Sequence, residues 1–165
     1  MSTTVPVKSD PSIVNFQTTA MVRDACLCLH VQRAARVLAR RFDRAFKPLG
    51  LTHGQFSLLM SLNRPEGAMA AAMGVPPATV GSVAELLGMD RTTVTAVAKT
   101  LTRRGLMTVV SDSGDRRERR MRLTATGMRL LAEAMPIWAR EHGALKDAVK
   151  DPEGLRAGLA ALLQE

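Results

Sequence analysis

The order of signals between residues 79 and 124 constrains this chain most. Thr79 is placed to cap a short helix with Val83, Leu86 and Leu87 on its inward side, and Gly88 suits the left-handed residue beyond its end. Asp90 caps a second helix in which Val94, Val97, Ala98 and Leu101 recur at i, i+3, i+4 and i+7. Its other positions, Arg91, Thr92, Thr95, Ala96, Lys99 and Arg103, turn outward and are small, polar or basic. Gly105 ends it. A β-prone run, Met107 to Val110, follows at once. Arg116, Arg117, Arg119, Arg120 and Arg122 then crowd a polar loop and the run after it, and Leu123-Thr124 closes the stretch.

Two short helices joined at Gly88-Met89-Asp90 make a helix–turn–helix. A basic hairpin directly after one is the layout of a winged DNA-binding domain. Such a unit docks its second helix in the major groove, N-terminal residues toward base edges. Arg91, Thr92, Thr93 and Thr95 fit that role, because short hydroxyls reach phosphates or bases and threonine methyls touch thymine methyls. Lys99 and Arg103, one and two turns on, can neutralise phosphates. Arginines at a hairpin tip can enter a narrow minor groove, where the negative potential deepens. Short amphipathic helices also serve as scaffolds for protein contacts, and a charge run can be a solvated hairpin. Charge placement favours DNA: the formal net charge is +8, and residues 90–122 hold nine Lys/Arg against four Asp/Glu, more than half of the excess.

The rest of the chain reads as mainly helical, so the fold class is α+β, mainly α with a small β-hairpin wing. Residues 1–16 read as a flexible N-terminal tail. From Thr19 to Lys47 one long helical pattern runs through Leu27, Val31, Ala34, Ala35, Leu38, Phe42, Ala45 and Phe46, stopped by Pro48 and Gly50. Thr52 and Gln55 form a capping box for a helix that fades near Asn63. Residues 64–77 are a flexible connector rich in Pro, Gly, Ala and Met, with a helical turn over Ala68–Met73. Thr124 caps a long helix to about Val149, with Met128, Leu131, Met135, Trp138 and Leu145 on its buried side and Pro136 within it. Asp151-Pro152 opens a last helix lined by Leu155, Leu159, Leu162 and Leu163. The pair Cys26 and Cys28 makes no disulfide framework, no secretory signal opens the chain, and no apolar run is long enough to cross a membrane. These traits fit a cytoplasmic protein.

The segments AARVLARRFDRAFKPLGLTHGQFSLL (34–59) and VGSVAELLGMDRTTVTAVAKTLTRRGL (80–106) resemble the MarR family of bacterial transcription regulators. So does the D-x-R motif of Asp115 and Arg117, with Leu123-Thr124 eight and nine residues on and Gly127 after. The resemblance covers roughly Leu27 to Leu145. It implies a single domain over 17–165, with a winged helix–turn–helix over about 52–124 and dimerisation helices over about 19–47 and 125–164. It further implies an obligate homodimer on a palindromic double-stranded operator, with Arg117 inserted in the minor groove and Asp115 steadying it. Arg116, Arg119, Arg120 and Arg122 are left as phosphate contacts or solvated charge, and on strand alternation Arg120 and Arg122 share a face. The connector 64–77 is longer than is usual in the family.

Family members are released from DNA by small aromatic or lipophilic ligands or by thiol oxidation. His30, Arg33, His53, Phe56, Met60 and Trp138 are the candidate pocket residues, suited to an aromatic carboxylate. Singly, each also reads as an ordinary cap, interface or core residue. Cys28 falls where hydroperoxide-sensing relatives carry a reactive thiol. Those relatives hold it with tyrosines; this chain has none, and Gln32 and Phe42 stand at the matching positions. A buried helical cysteine is also an ordinary small apolar residue. No Gly-x-Gly-x-x-Gly, Walker or Gly-x-Ser-x-Gly pattern is present, and the scattered histidines form no metal-ligand pair, so neither an enzyme nor a cofactor or metal is expected.

Overall fold

The computed structural model describes residues 14–65, 67–111 and 119–163. By its internal contacts the chain falls into two compact units, Met1–Leu38 and Ala39–Glu165.

The first unit holds helix α1 (Phe16–Ala25) and the start of α2 (Leu27–Phe46). The expected single helix from Thr19 is therefore two, and it begins three residues earlier. The Asn15 side chain caps α1 by accepting from the Thr18 N–H at 3.1 Å. The break comes at Cys26, whose backbone turns extended (φ −74°, ψ 104°). Its N–H still donates to the Val22 carbonyl, closing α1, and its Sγ accepts from the Leu29 N–H at 3.4 Å. Cys26 thus ends one helix and caps the next, its sulfur in the place of the usual N-cap oxygen. Neither Gly nor Pro marks the spot, so the apolar period ran through it unbroken. α1 has no buried residue, and Phe16, Val22, Leu27 and Val31 are all exposed.

The second unit holds the rest of α2, a 3₁₀ turn (Lys47–Leu49), α3 (His53–Leu62), α4 (Gly67–Ala72), α5 (Val80–Leu87) and α6 (Arg91–Arg103). Strands β1 (Met107–Ser111) and β2 (Arg119–Leu123), then α7 (Ala125–Ala148) and α8 (Pro152–Ala161), complete it. The caps fall where the sequence puts them. Thr52 with Gln55 and Thr79 with Ser82 both form reciprocal capping boxes, and Gly88 ends α5 at φ 59°. Asp90 holds the N-cap position of α6, yet its side chain makes no capping bond.

One core joins these elements. Phe46, Leu58, Leu59, Val83, Val94, Leu101 and Met107 are its largest fully buried side chains. Phe46 stacks on Phe56 with ring centroids 4.6 Å apart. β1 and β2 pair antiparallel from Met107↔Leu123 to Ser111↔Arg119, and the Met121 N–H donates to the Ala78 carbonyl at 2.8 Å. The wing strand is thereby tied to the residue before the α5 cap. The connector is likewise pinned, because Arg64 Nε donates to the Ser61 carbonyl at 2.7 Å and Nη1 to that of Pro76 at 3.0 Å.

Three expected inward residues face out. Leu86 is 63% exposed, Met128 45% and Met135 37%. Ala84 on α5 and Gly127 and Ala134 on α7 are buried in their stead, beside the expected Leu131. Helical period fixes which residues share a stripe, but not how wide the buried part of that stripe is.

Candidate nucleic-acid interface

The sequence of α6 separates its two faces cleanly. Val94, Ala98 and Leu101 are buried and Val97 packs against them. Arg91, Thr92, Thr93, Thr95, Lys99 and Arg103 are all exposed. Thr95, Lys99, Thr102 and Arg103 come together with Arg119 of β2 around a groove of about 520 Å³, floored by Ala98, Val109 and Met121. A helix one turn apart in its polar residues and an antiparallel strand therefore share one basic surface. The Thr95 hydroxyl donates to the Arg91 carbonyl at 2.8 Å, so in this rotamer it offers an acceptor outward. Arg91 stands apart from that groove, beside Gly81, Ser82, Glu85 and Asp90 in a second, open hollow at the turn. Asp115, Arg116 and Arg117 lie outside the described residues.

Arg104 has a different task from its neighbour Arg103, one that no local pattern signals. Its Nη1 donates to the Gly50 carbonyl at 2.8 Å and approaches Gln55 Oε1 at 3.5 Å. It ties the end of α6 to the turn before α3, a contact across 54 positions.

The base of the hairpin is shaped by Thr124 and Gly127. The Thr124 hydroxyl accepts from the Gly127 N–H at 3.0 Å and donates to the Gly105 carbonyl at 2.7 Å. The Thr124 N–H donates to the Leu106 carbonyl at 3.2 Å. Gly127 packs so closely on that carbonyl that any Cβ there would collide with it. These contacts give the Leu-Thr and Gly of the motif a physical reason: they lock the start of α7 to the entry of β1.

Of the candidate pocket residues, Phe56, Met60 and Trp138 converge. With Ser57, Leu86, Leu87 and Met135 they line a largely apolar hollow of about 420 Å³. Leu86 and Met135 are apolar yet exposed because they wall this hollow. His53 lies elsewhere, its ring against Phe42 at 5.3 Å and its N–H donating to Asp43 Oδ1 at 2.7 Å. Burial holds its imidazole below the usual histidine range, against the opposing pull of Asp43. His30 and Arg33 belong to the first unit. His142, beside Glu141 in sequence, stacks on Trp138 at 4.6 Å, four positions along α7.

Cys28 is exposed, not buried. Gln32 Nε2 donates to its Sγ at 3.2 Å. Arg23 is held by Asp24, at 2.6 and 2.8 Å, and the His30 ring faces the Asp24 carbonyl at 3.2 Å. Neither serves the thiol among the described contacts.

A helix–turn–helix whose second helix shares a basic groove with an adjoining hairpin defines a winged helix–turn–helix DNA-binding protein. Comparison with known proteins agrees. Residues 49–118 match the model of the MarR family. The Mycobacterium tuberculosis transcriptional regulator MosR, solved in complex with DNA, is 34% identical, with 84% of this chain and 94% of that one aligned at a TM-score of 0.69. The transcriptional repressor CouR, bound to a 23-mer DNA duplex, is 26% identical over 87% and 97% of the two chains, at a TM-score of 0.72. CouR from Rhodococcus jostii RHA1 bound to p-coumaroyl-CoA shares the fold at 22% identity, over 86% and 94%, at a TM-score of 0.69. No curated protein sequence matched. The chain belongs to the MarR family of DNA-binding transcription regulators. Among the described residues, no helix is long and apolar enough to cross a membrane.

Proposed function

We propose that this chain is a cytoplasmic, homodimeric repressor that holds a palindromic operator and releases it when a small aromatic or lipophilic ligand binds. The observation that carries this reading is the shared groove, in which Thr95, Lys99 and Arg103 of α6 meet Arg119 of β2. α6 enters the major groove with Arg91, Thr92, Thr93 and Thr95 toward base edges, and Lys99 and Arg103 take phosphates. Arg117, braced by Asp115, enters the minor groove, with Arg116 and Arg119 on the flanking backbone.

Dimerisation is supported by apolar surface that a single chain leaves uncovered. α8 has no buried residue, and Leu155, Leu159, Leu162 and Leu163 are all exposed, as are Phe16, Val22 and Leu27 at the other end. Rows of this kind mark association surfaces. The hollow lined by Phe56, Met60 and Trp138 suits an aromatic effector. MosR and CouR bound to DNA, and CouR bound to an aromatic thioester, support the class of partner in each case.

The test begins with duplex selected from the host genome by the purified protein. Arg117→Ala is expected to weaken binding while the dimer stays intact by sedimentation, and affinity should fall steeply with salt. Unchanged operator affinity in a mobility-shift titration of the variant would remove the wing from the reading.

A further inference from the structure

The head of α6 carries an acidic side chain that its helix does not use. Asn15, Thr52, Thr79, Thr124 and Asp151 each accept a backbone N–H of the helix they start. Asp90 does not. Its backbone holds the ordinary N-cap conformation, φ −65° and ψ 142°, so only the side chain has turned away. Asp151 shows what the same residue does when it caps: its Oδ1 accepts from the Gly154 N–H at 2.9 Å. The Asp90 carboxylate is exposed and has neither a hydrogen bond nor an ion pair among the described residues. Arg91, next along, lays its guanidinium over Gly81, with Nη2 3.6 Å from where a Cβ would stand. Both side chains line the open hollow at the turn, with Ser82 and Glu85.

A carboxylate carried up to a duplex is repelled by the phosphates, and Asp90 also forgoes the stability that a bonded cap supplies. An ionised carboxylate only accepts, so relief must come from a donor on the DNA. The base edges of the major groove offer two, the cytosine N4 amine and the adenine N6 amine. Adenine sets its N7 acceptor beside that amine, while guanine and thymine present acceptors and no donor. Cytosine is therefore the base edge that favours the carboxylate most. We infer, on the proposed docking of α6 in the major groove with its N-terminal residues toward base edges, that Asp90 is a specificity-determining residue. It accepts from the N4 amine of one cytosine in each operator half-site. Arg91 complements it: a donor-only guanidinium matches the O6 and N7 of guanine, so the two neighbours suit a step that contains a G·C pair. Glu85, the other carboxylate of the hollow, lies on α5 and not on the helix that enters the groove.

The experiment selects a randomised duplex library with the full parent chain, Asp90→Asn and Asp90→Ala, and sequences what each protein retains. The parent should enrich cytosine at one position of each half-site. Both variants should lose that preference by at least about fivefold, the low end of what one good base contact supplies. Asp90→Asn keeps the shape of the side chain and adds a donor, so adenine should rise at the same position. It decides the matter even if Asp90→Ala folds poorly. On duplex without the selected motif, Asp90→Asn should bind at least as tightly as the parent, because a charge repelled by phosphate is gone. A motif shared unchanged by the parent and Asp90→Asn overturns the assignment while the DNA reading stands, and so does a lost preference for any base other than cytosine. A parent protein that selects no duplex overturns both.

Discussion

Gly127→Ala should destabilise this protein although it replaces a glycine in a helix with the best helix former. The added Cβ would collide with the Leu106 carbonyl oxygen and lie 2.8 Å from Leu123 Cδ1 and 3.0 Å from the Leu106 carbon. The leucine methyl can swing away, but the carbonyl is backbone at the entry to β1 and also accepts the Thr124 N–H. Forcing a methyl into such a site costs about 1–3 kcal/mol, and losing the Thr124 bond adds about 1 kcal/mol. The gain in helix propensity returns at most about 1 kcal/mol. The net loss is about 2 kcal/mol, which lowers the melting temperature by roughly 4–8 °C for a chain of this size. Gly143→Ala is the internal control. It lies in the same helix with nothing within 4 Å of its added Cβ, so it should raise stability by up to about 1 kcal/mol. Both variants are to be melted by calorimetry at one protein concentration, because a dimer's melting point depends on it. If Gly127→Ala melts at or above the parent temperature, the close approach at the hairpin base is not a constraint and the reasoning fails.

Adjacent arginines should separate by function. Arg103→Ala should reduce the salt slope of duplex binding by about one while leaving the fold intact. Arg104→Ala should keep that slope and lose on the order of 1 kcal/mol of stability with the Gly50 contact, a modest figure because the pair is exposed; equal slopes for both variants would refute the division. Thr124→Ala removes a helix cap and the bond to the Gly105 carbonyl, and urea titration should show a loss of about 1–2 kcal/mol. His53 gives a pH signature. Its folded pKa is depressed, so the unfolded chain takes up the proton first, and stability should fall as pH drops from neutral through the ordinary histidine range. His53→Gln should flatten that part of the profile, and identical profiles for the two proteins would exclude the burial effect.

What could be read from the sequence was local. The capping residues Thr52, Thr79 and Thr124, the left-handed Gly88 and the outward face of α6 each follow from a few neighbouring side chains, and all lie where expected. Contacts between distant residues were not legible. Arg104 reads as one more basic residue until Gly50 is brought to it, and Arg64 as loop charge until Pro76 folds back. Cys26 escaped notice because a sulfur cap carries no Gly or Pro signal. Period alone puts Leu86 and Met135 in the core, and they instead wall an open hollow. Of the six candidate pocket residues, Phe56, Met60 and Trp138 converge, whereas His53 is drawn off by Asp43 and Phe42 and His30 and Arg33 belong to the first unit.

The bond from the Met121 N–H to the Ala78 carbonyl has a mechanical consequence. Ala78 immediately precedes Thr79, the residue that starts α5, and Met121 sits at the middle of β2. The first helix of the DNA-binding pair and the wing strand are therefore hinged to the same peptide. A tilt of the wing turns the start of α5 with it, and α5 carries the turn that aims α6. On the proposed reading, in which α6 and the wing both touch the duplex, the two behave as the arms of a caliper whose opening is set at one rivet. Whatever strains that rivet changes the reach of both arms at once, so a displacement too small to unseat either contact alone can spoil their joint fit to the DNA.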